Sequence, residues 1–321
     1  MGGFLGALGQ KLAERWLTLL VLPGVLFLAV ATAAHTLGQP RALDIHRLTG
    51  HITHWAQAPE VNTVGSQVVL LGAVLAAAAA AGLCAQSLGT LIQRIALAAD
   101  WRTWPRPLRS CARAGTARRH TRWVAALHDY QRQLDADAHT LAVTGRRADS
   151  APRRAAHHVM RRIATEEPDR PTWCGDRVHA VTIRLERDHR MDLPLVWPYL
   201  WLVLPEITRA EIAAAEQALS RATTLAGWAV LYAPLTAWWW PAAPLAAVLA
   251  LAARYRMGTA TETYAQLIEA AARLHSTDLA TRLGIDRTGA LDAALGDALD
   301  HLLRTRTRGT PPPTPDGSPS H

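Results

Sequence analysis

Histidine, cysteine and carboxylate side chains gather in one stretch of the chain: His157-His158, then Glu166-Glu167, Cys174, Asp176, His179 and His189. A thiol beside an imidazole can act as a nucleophile with its base, and a carboxylate can orient the pair. No local signature accompanies the set, since the chain holds no GxSxG elbow, Walker loop, kinase set or deaminase motif. Neither catalysis nor a bound cofactor is expected on these grounds. A second set, His46, His51 and His54, lies near Asp44 and Glu60. Imidazoles at i and i+3 on a helical turn can share one metal ion. With no HExxH motif and no rigid frame, these residues read as a solvated loop rather than a metal site. Cys84, Cys111 and Cys174 are odd in number and form no CxxC, so they read as ordinary thiols.

The commonest charged group is the guanidinium. The 321 residues carry a formal net charge of +8, and Lys11 is the only lysine among 34 basic residues. With the abundance of alanine this suggests GC-rich coding, so the arginine bias is not in itself recognition chemistry. Its clustering is more informative. Arg94, Arg102, Arg106, Arg109, Arg113, Arg118, Arg119 and Arg122 stand against one acid, Asp100, and are interleaved with Trp101, Trp104 and Trp123. Just inside a membrane, such residues would attract anionic headgroups at roughly 1 kcal/mol each. Arg102 through Arg122 are therefore the candidate lipid-facing residues. Arginine with tryptophan also suits nucleic acid, the weaker reading here.

The elements that must position these groups fall into apolar blocks and amphipathic helices. Half the residues are hydrophobic, yet mean hydropathy is only +0.03, because arginine-rich sequence offsets long apolar runs at 16–37, 68–92 and 223–253. A run of about 18 or more apolar residues matches the hydrocarbon core of a bilayer, ~30 Å thick. Residues 223–240 could cross once, but 241–253 before Arg254 is short for a full span. The second hairpin therefore either spans tightly, with Trp238, Trp239 and Trp240 at the outer interface, or re-enters. Lys11 and Arg15 before the first run resemble a signal peptide, but the run is long and an uncleaved helix is favoured. Pro23-Gly24 predicts a kink. Gly72, Ala76 and Ala80 form a small-residue stripe suited to close helix packing. The arginines after residue 93 place both termini and the central segment in the cytoplasm, with 38–67 outside.

Between and after the apolar blocks the pattern is helical. Trp123, Leu127, Tyr130, Leu134 and Leu141 predict a helix over 122–143. A linker at 145–154 and a short helix at 155–165 follow. Asp176 is expected to cap a helix to about 189, although Val181, Ile183 and Leu185 alternate as a strand would. The run 193–205 is broken by Pro194, Pro198 and Pro205 and suits either an interfacial belt or a domain core, the membrane-proximal position being favoured. Thr208 and Glu211 form a capping-box pattern opening a helix that continues into the third span. Helices at 259–275 and 288–303 carry apolar stripes, and 309–321 should be disordered.

Gly175-Asp176-Arg177, Leu193, Trp197-Pro198, Leu200-Trp201 and Leu204-Pro205 together resemble a signature of uncharacterised bacterial, often actinobacterial, multi-span membrane proteins. Here Asp192-Leu193 reverses that family's Leu-Asp order. The resemblance implies a membrane protein with a cytosolic insert and carries no known activity.

The sequence thus predicts an all-α integral membrane protein of the cell membrane, with four transmembrane helices in two hairpins and a helical cytosolic domain. The segments are 1–93, a membrane hairpin; 94–222, a basic cytosolic domain; 223–256, a second hairpin; 257–308, amphipathic helices; and 309–321, a tail. The expected role is a non-enzymatic scaffold or regulatory subunit meeting anionic lipid, a protein partner or a second copy. The alternative is a subunit of an oligomeric pore or transporter. The spans lack Asp, Glu, Lys and Arg, the usual marks of an ion pathway.

Overall fold

The computed structural model describes residues 21–39, 42, 44, 64–97, 101–285 and 291–307. The start of the first apolar run, the histidines of 46–54 and the tail 309–321 lie outside the described residues. Those described form nine α-helices and no strand: α1 Leu22–Leu37, α2 Val64–Leu97, α3 Arg106–Thr144, α4 Ala151–Ile163, α5 Trp173–His189, α6 Leu193–Val203, α7 Glu206–Tyr232, α8 Ala242–Arg282 and α9 Ala293–Thr307. One of them, over Gly65–Leu97, is long and apolar enough to cross a membrane.

Several helices are longer than the periodicity predicts. The helix expected over 122–143 begins at Arg106, after Pro105, so its basic N-terminal third is helical too. The helix expected at 155 begins at Ala151. The last apolar run is not a separate 13-residue element, because α8 continues through Arg254 and Arg256 to Arg282. At 1.5 Å per residue its 41 residues extend about 61 Å. Thr208 does not cap α7: Arg209 N–H already donates to the Pro205 carbonyl at 3.0 Å.

The chain divides into two units, residues 1–95 with 217–260 and residues 96–216 with 261–321, and the boundaries fall inside α2, α7 and α8. In the first unit small residues permit close helix packing, but not those expected. Gly72 has open space around it, and Ala76 and Ala80 are exposed. The buried stripe is Ala78, Gly82, Ala85 and Gly89, which repeats every three or four residues along one face of α2. A Cβ on Gly24 of α1 would collide with the Ala78 carbonyl, and one on Gly227 of α7 with the Ala85 carbonyl. The backbones can meet this closely only because those positions are glycine. Phe27 packs edge-on against Tyr232 at 5.2 Å and beside Trp228 at 6.0 Å. At the far end of α7, Trp239 Nε1 donates to the Ala42 carbonyl at 2.9 Å, and Gln39 Nε2 to the Thr236 and Ala237 carbonyls.

The second unit is built on a parallel pair, α5 with α8. Arg177 pairs with Glu262, Arg184 with Glu269, and Arg273 with Asp188. Each pair has the same sequence separation of 85 residues, and the Arg177 and Arg184 rungs are a heptad apart. A constant offset requires helices running in the same direction in register, and a seven-residue repeat keeps one seam facing the partner. The core between and around them holds Val181, Leu185, Ile268, Ala272 and Leu279. Val181 and Leu185 lie at i and i+4, which settles the strand-like alternation in favour of a helix.

The proline-broken run forms a regular 11-residue helix, with Pro194 in its first turn and Pro198 inside. Leu193, Val196, Leu200 and Leu204 repeat at helical spacing and are buried in the same core. This face belongs to the domain core, and Trp197, Tyr199 and Trp201 pack partly buried against it, while Leu202 remains 74% exposed. Leu295, Leu299 and Leu303 of α9 close the core, and Asp292 caps that helix by accepting Leu295 N–H at 2.7 Å.

Candidate anion-binding site

α4 is amphipathic in an uncommon sense. Arg154, His157, His158, Arg161 and Arg162 recur at i, i+3, i+4, i+7 and i+8, so the residues that share a face are basic rather than apolar. Met160, pointing the other way, is buried. The helix packs on α3 through the Tyr130 and His157 rings, 5.1 Å apart, and through Arg153 and Asp137 at 3.1 Å.

The basic face lines an open hollow of about 550 Å³, whose other walls are Thr165, Trp173 at the start of α5 and Glu262 of α8. Glu262 is the one acid in this lining, and its charge is shared between Arg177 and, at longer range, Arg161. Its oxygens accept from Arg177, at 2.8 Å for Nη2, and from Gln266 Nε2 at 2.7 Å. The Arg177 hydrogen bonds hold the Glu262 carboxyl below its ordinary range, against the opposing effect of burial. Among the described residues, Arg154, Arg161 and Arg162 make no ion pair or side-chain hydrogen bond. Three guanidiniums without an ion pair, two imidazoles and a hydroxyl around one hollow form a candidate site for an anion, since planar guanidinium donors match phosphate and carboxylate oxygens in pairs.

The cysteine–histidine–carboxylate set is dispersed by the same packing. Asp176 is not the cap of α5. Thr172 is, with its side chain accepting Gly175 N–H at 3.0 Å. Asp176 instead ties down the preceding loop. Its oxygens accept N–H from Asp169 at 3.1 Å and Arg170 at 2.6 Å, and Arg119 closes on it at 2.6 Å. Burial pushes the Asp176 carboxyl up, while the Arg170 N–H and the Arg119 guanidinium pull it down. Glu166 is held by Arg187 at 2.9 Å and Glu167 by His120 at 3.0 Å. Burial lowers His179 below the usual imidazole value. His157 and His158 alone of this set reach the cavity.

The seven arginines proposed from sequence separate into three groups. Arg119 is committed to Asp176 and the Ile163 carbonyl. Arg102 pairs with Asp169 at 2.7 Å and lies 5.7 Å from the centre of the Trp101 ring. Arg106, Arg109, Arg113, Arg118 and Arg122 have no ion pair among the described residues. On a helix of 3.6 residues per turn the first three share one side, and Arg118 and Arg122 stand about half a turn away. Two of the three interleaved tryptophans are tied to backbone: Trp101 Nε1 donates to the Asp169 carbonyl at 3.0 Å and Trp123 Nε1 to the Ala164 carbonyl at 3.2 Å, while Trp104 packs partly buried beside Trp101. Trp101 is 6% exposed and offers no face on which a base could stack. No three His, Cys, Asp or Glu side chains converge as a metal site among the described residues.

Sequence reasoning named His157 and His158 but missed Arg154, Arg161 and Arg162. The signal was available as basic residues at helical spacing. Comparison with protein-family models, with curated proteins and with solved structures returns no match.

Proposed function

We propose that the chain is a multi-pass protein of the cell membrane, with four membrane helices in two hairpins and both termini cytoplasmic. In this reading it works as a non-enzymatic scaffold or regulatory subunit whose cationic helical domain receives an anionic partner. The observation that carries the proposal is the surface of α2. Its most apolar 18-residue window has mean hydropathy 2.4 and only 17% of it is buried. Val68, Val69, Leu71 and Leu83 are all more than half exposed, and residues 65–93 contain no Asp, Glu, Lys or Arg. In water that surface would be a large apolar patch with nothing among the described residues to cover it. A bilayer covers it. Leu22 and Leu26 of α1, and Val248 and Leu251 of α8, are exposed in the same way, which supports membrane helices beyond α2.

The partner's charge follows from the free guanidiniums of α3 and α4, and anionic headgroups are what residues just inside a membrane meet first. Two measurements test the reading. Reporter fusions after Val143 and after Leu303 should report cytoplasm, and one near Asn62 exterior. An exterior signal at 143 would overturn the topology. Full-length protein in neutral vesicles should tether anionic vesicles in a salt-sensitive way. Gln at Arg106, Arg109, Arg113, Arg118 and Arg122 should weaken that tethering. Tethering indifferent to both salt and substitution would reduce these arginines to a topogenic role, and solute flux through the vesicles would favour the pore.

A further inference from the structure

The first unit contains a second, larger cavity, a cleft of about 1000 Å³ among α1, α2, α7 and α8. Its two ends differ in chemistry. One end is lined by Pro23, Leu26, Trp228, Tyr232, Leu245 and Leu249, and the other by Gln86, Thr90, Ser220, Thr224, Arg221 and Arg256. Helix direction explains the gradient. From Arg221 to Tyr232, α7 advances three turns, about 16 Å, and α8 returns over a similar rise from Leu245 to Arg256. A Cβ on Gly89 would meet the Thr224 backbone at 2.7 Å, which puts Gln86 and Thr90 of α2 level with the arginine end.

Neither guanidinium is answered by an acid. Arg221 Nε donates only to the Gln217 carbonyl at 3.3 Å, and the Arg256 side chain has no partner among the described residues. Residues 64–95 and 217–260 contain no Asp or Glu. The unit's one described carboxylate, Asp44, is two residues from Ala42, which accepts from Trp239 at the opposite end of α7 and α8.

We propose that this cleft binds one anionic lipid, its phosphate between Arg221 and Arg256 and an acyl chain along Trp228, Leu245 and Leu249. Guanidinium and phosphate oxygens pair in a fixed fork, and their attraction grows where water is scarce. The Gln86 side-chain amide can donate to the headgroup, and the Thr90 hydroxyl, which donates to the Gln86 carbonyl at 3.0 Å, can accept from a headgroup hydroxyl. Trp228 and Tyr232 are each less than a tenth exposed and form a preformed apolar wall of the kind ligand sites favour. The inference rests on the membrane reading of this unit and goes beyond it, because it asks for a head and a chain at one place rather than diffuse attraction to a surface.

The test uses the full chain in vesicles containing a trace of phosphatidylglycerol with a photoreactive acyl chain, or the matched phosphatidylcholine. The phosphatidylglycerol probe should label residues 225–249 roughly tenfold more than the neutral one, as expected for two cations near a headgroup. Arg221→Gln with Arg256→Gln should abolish that preference. Arg254→Gln removes a charge from a hollow that Arg254 shares with Val230 and Met257, not from the cleft, and should leave the preference intact. Leu249→Trp, which fills the apolar end with both arginines present, should block labelling by either probe. Equal labelling by the two probes, or a preference that survives the double substitution, overturns the proposal. Displacement of the probe by inorganic phosphate would also overturn it, showing a phosphate site with no need of a chain. Alkaline carbonate washing separates the two failures. Protein released from the membrane defeats the membrane reading, whereas retained protein without preferential labelling defeats the lipid site alone.

Discussion

Glu262 and Glu269 show how much of the second unit hangs on individual charges. Arg184 and Glu269 are 14% and 20% exposed, so both are largely cut off from water. Glu269 has a second partner in Arg273 at 3.1 Å, whereas Arg184 pairs with Glu269 alone among the described residues. Breaking such a pair by removing one partner leaves a buried charge uncompensated, at a cost of about 3–5 kcal/mol. We expect Glu269→Ala to fall near the lower bound, since Arg184 keeps some solvent, and Arg184→Met with Glu269→Leu to recover most of the loss. Thermal unfolding of the purified protein would show it, and equal destabilisation by the single and double changes would refute it. Glu262 adds a pH dependence of definite sign. Its folded pKa lies below its unfolded value, chiefly through the Arg177 hydrogen bonds. Its contribution is therefore fully present above the ordinary carboxylate range and is lost as pH falls through the folded pKa. Glu262→Gln should flatten the acid limb of a stability–pH curve, and an unchanged limb would show that Glu262 does not govern it. Both rungs left a trace in the sequence, Arg177 and Arg184 seven apart and Glu262 and Glu269 seven apart. Nothing local states that the two heptads, 85 residues distant, belong together.

At the level of elements the small-residue rule was right in kind and wrong in place. Gly72, Ala76 and Ala80 have the spacing that close packing needs, but an alanine-rich helix offers that spacing on every face. What selects the buried face is the partner: Gly24 and Gly227 require backbone contact at Ala78 and Ala85. Gly227→Ala should therefore cost about 1–3 kcal/mol through forced backbone shifts. Gly72→Ala, with open space around it, should leave stability unchanged or raise it. A pair of melting curves in detergent decides between the stripes, and a larger loss at Gly72 than at Gly227 would reverse the assignment. Helix ends were read less well than helix existence. Pro105 and Pro205 start α3 and α7 earlier than the apolar periodicity suggests, because a helix can begin at a proline whose missing N–H needs no partner. The cationic face of α4 escaped notice because amphipathic patterns are searched for in apolar residues.

For the molecule as a whole, the chain order conceals the architecture. Residues 261–285 and 291–307 complete the core begun by α5 and α6, with 217–260 intervening. The amphipathic stripes at 259–275 and 288–303 announced surfaces that needed burial, and the structure shows where that burial occurs. The agreement is not uniform: Ile268 and Ala271 are buried, whereas Leu274 of the same predicted stripe is 70% exposed. α9 is attached chiefly by Leu295, Leu299 and Leu303, each no more than 2% exposed. Its ion pairs, Arg190 with Asp297 and Arg304 with Asp192, are mostly solvated and contribute little, and Asp300 adds one partly buried hydrogen bond from the Asp192 N–H at 3.2 Å. Burying a leucine contributes about 1.5–3 kcal/mol, and forcing an unpaired carboxylate into the same place adds a desolvation cost. Leu295→Asp with Leu299→Asp should therefore release α9. Brief trypsin treatment of membranes should then remove the segment after Arg282, while the rest of the chain stays in the membrane pellet. Full protection of the tail would mean that α9 is not held by this core. Loss of the whole protein from the pellet would mean that membrane attachment depends on the second unit rather than on the apolar helices of the first.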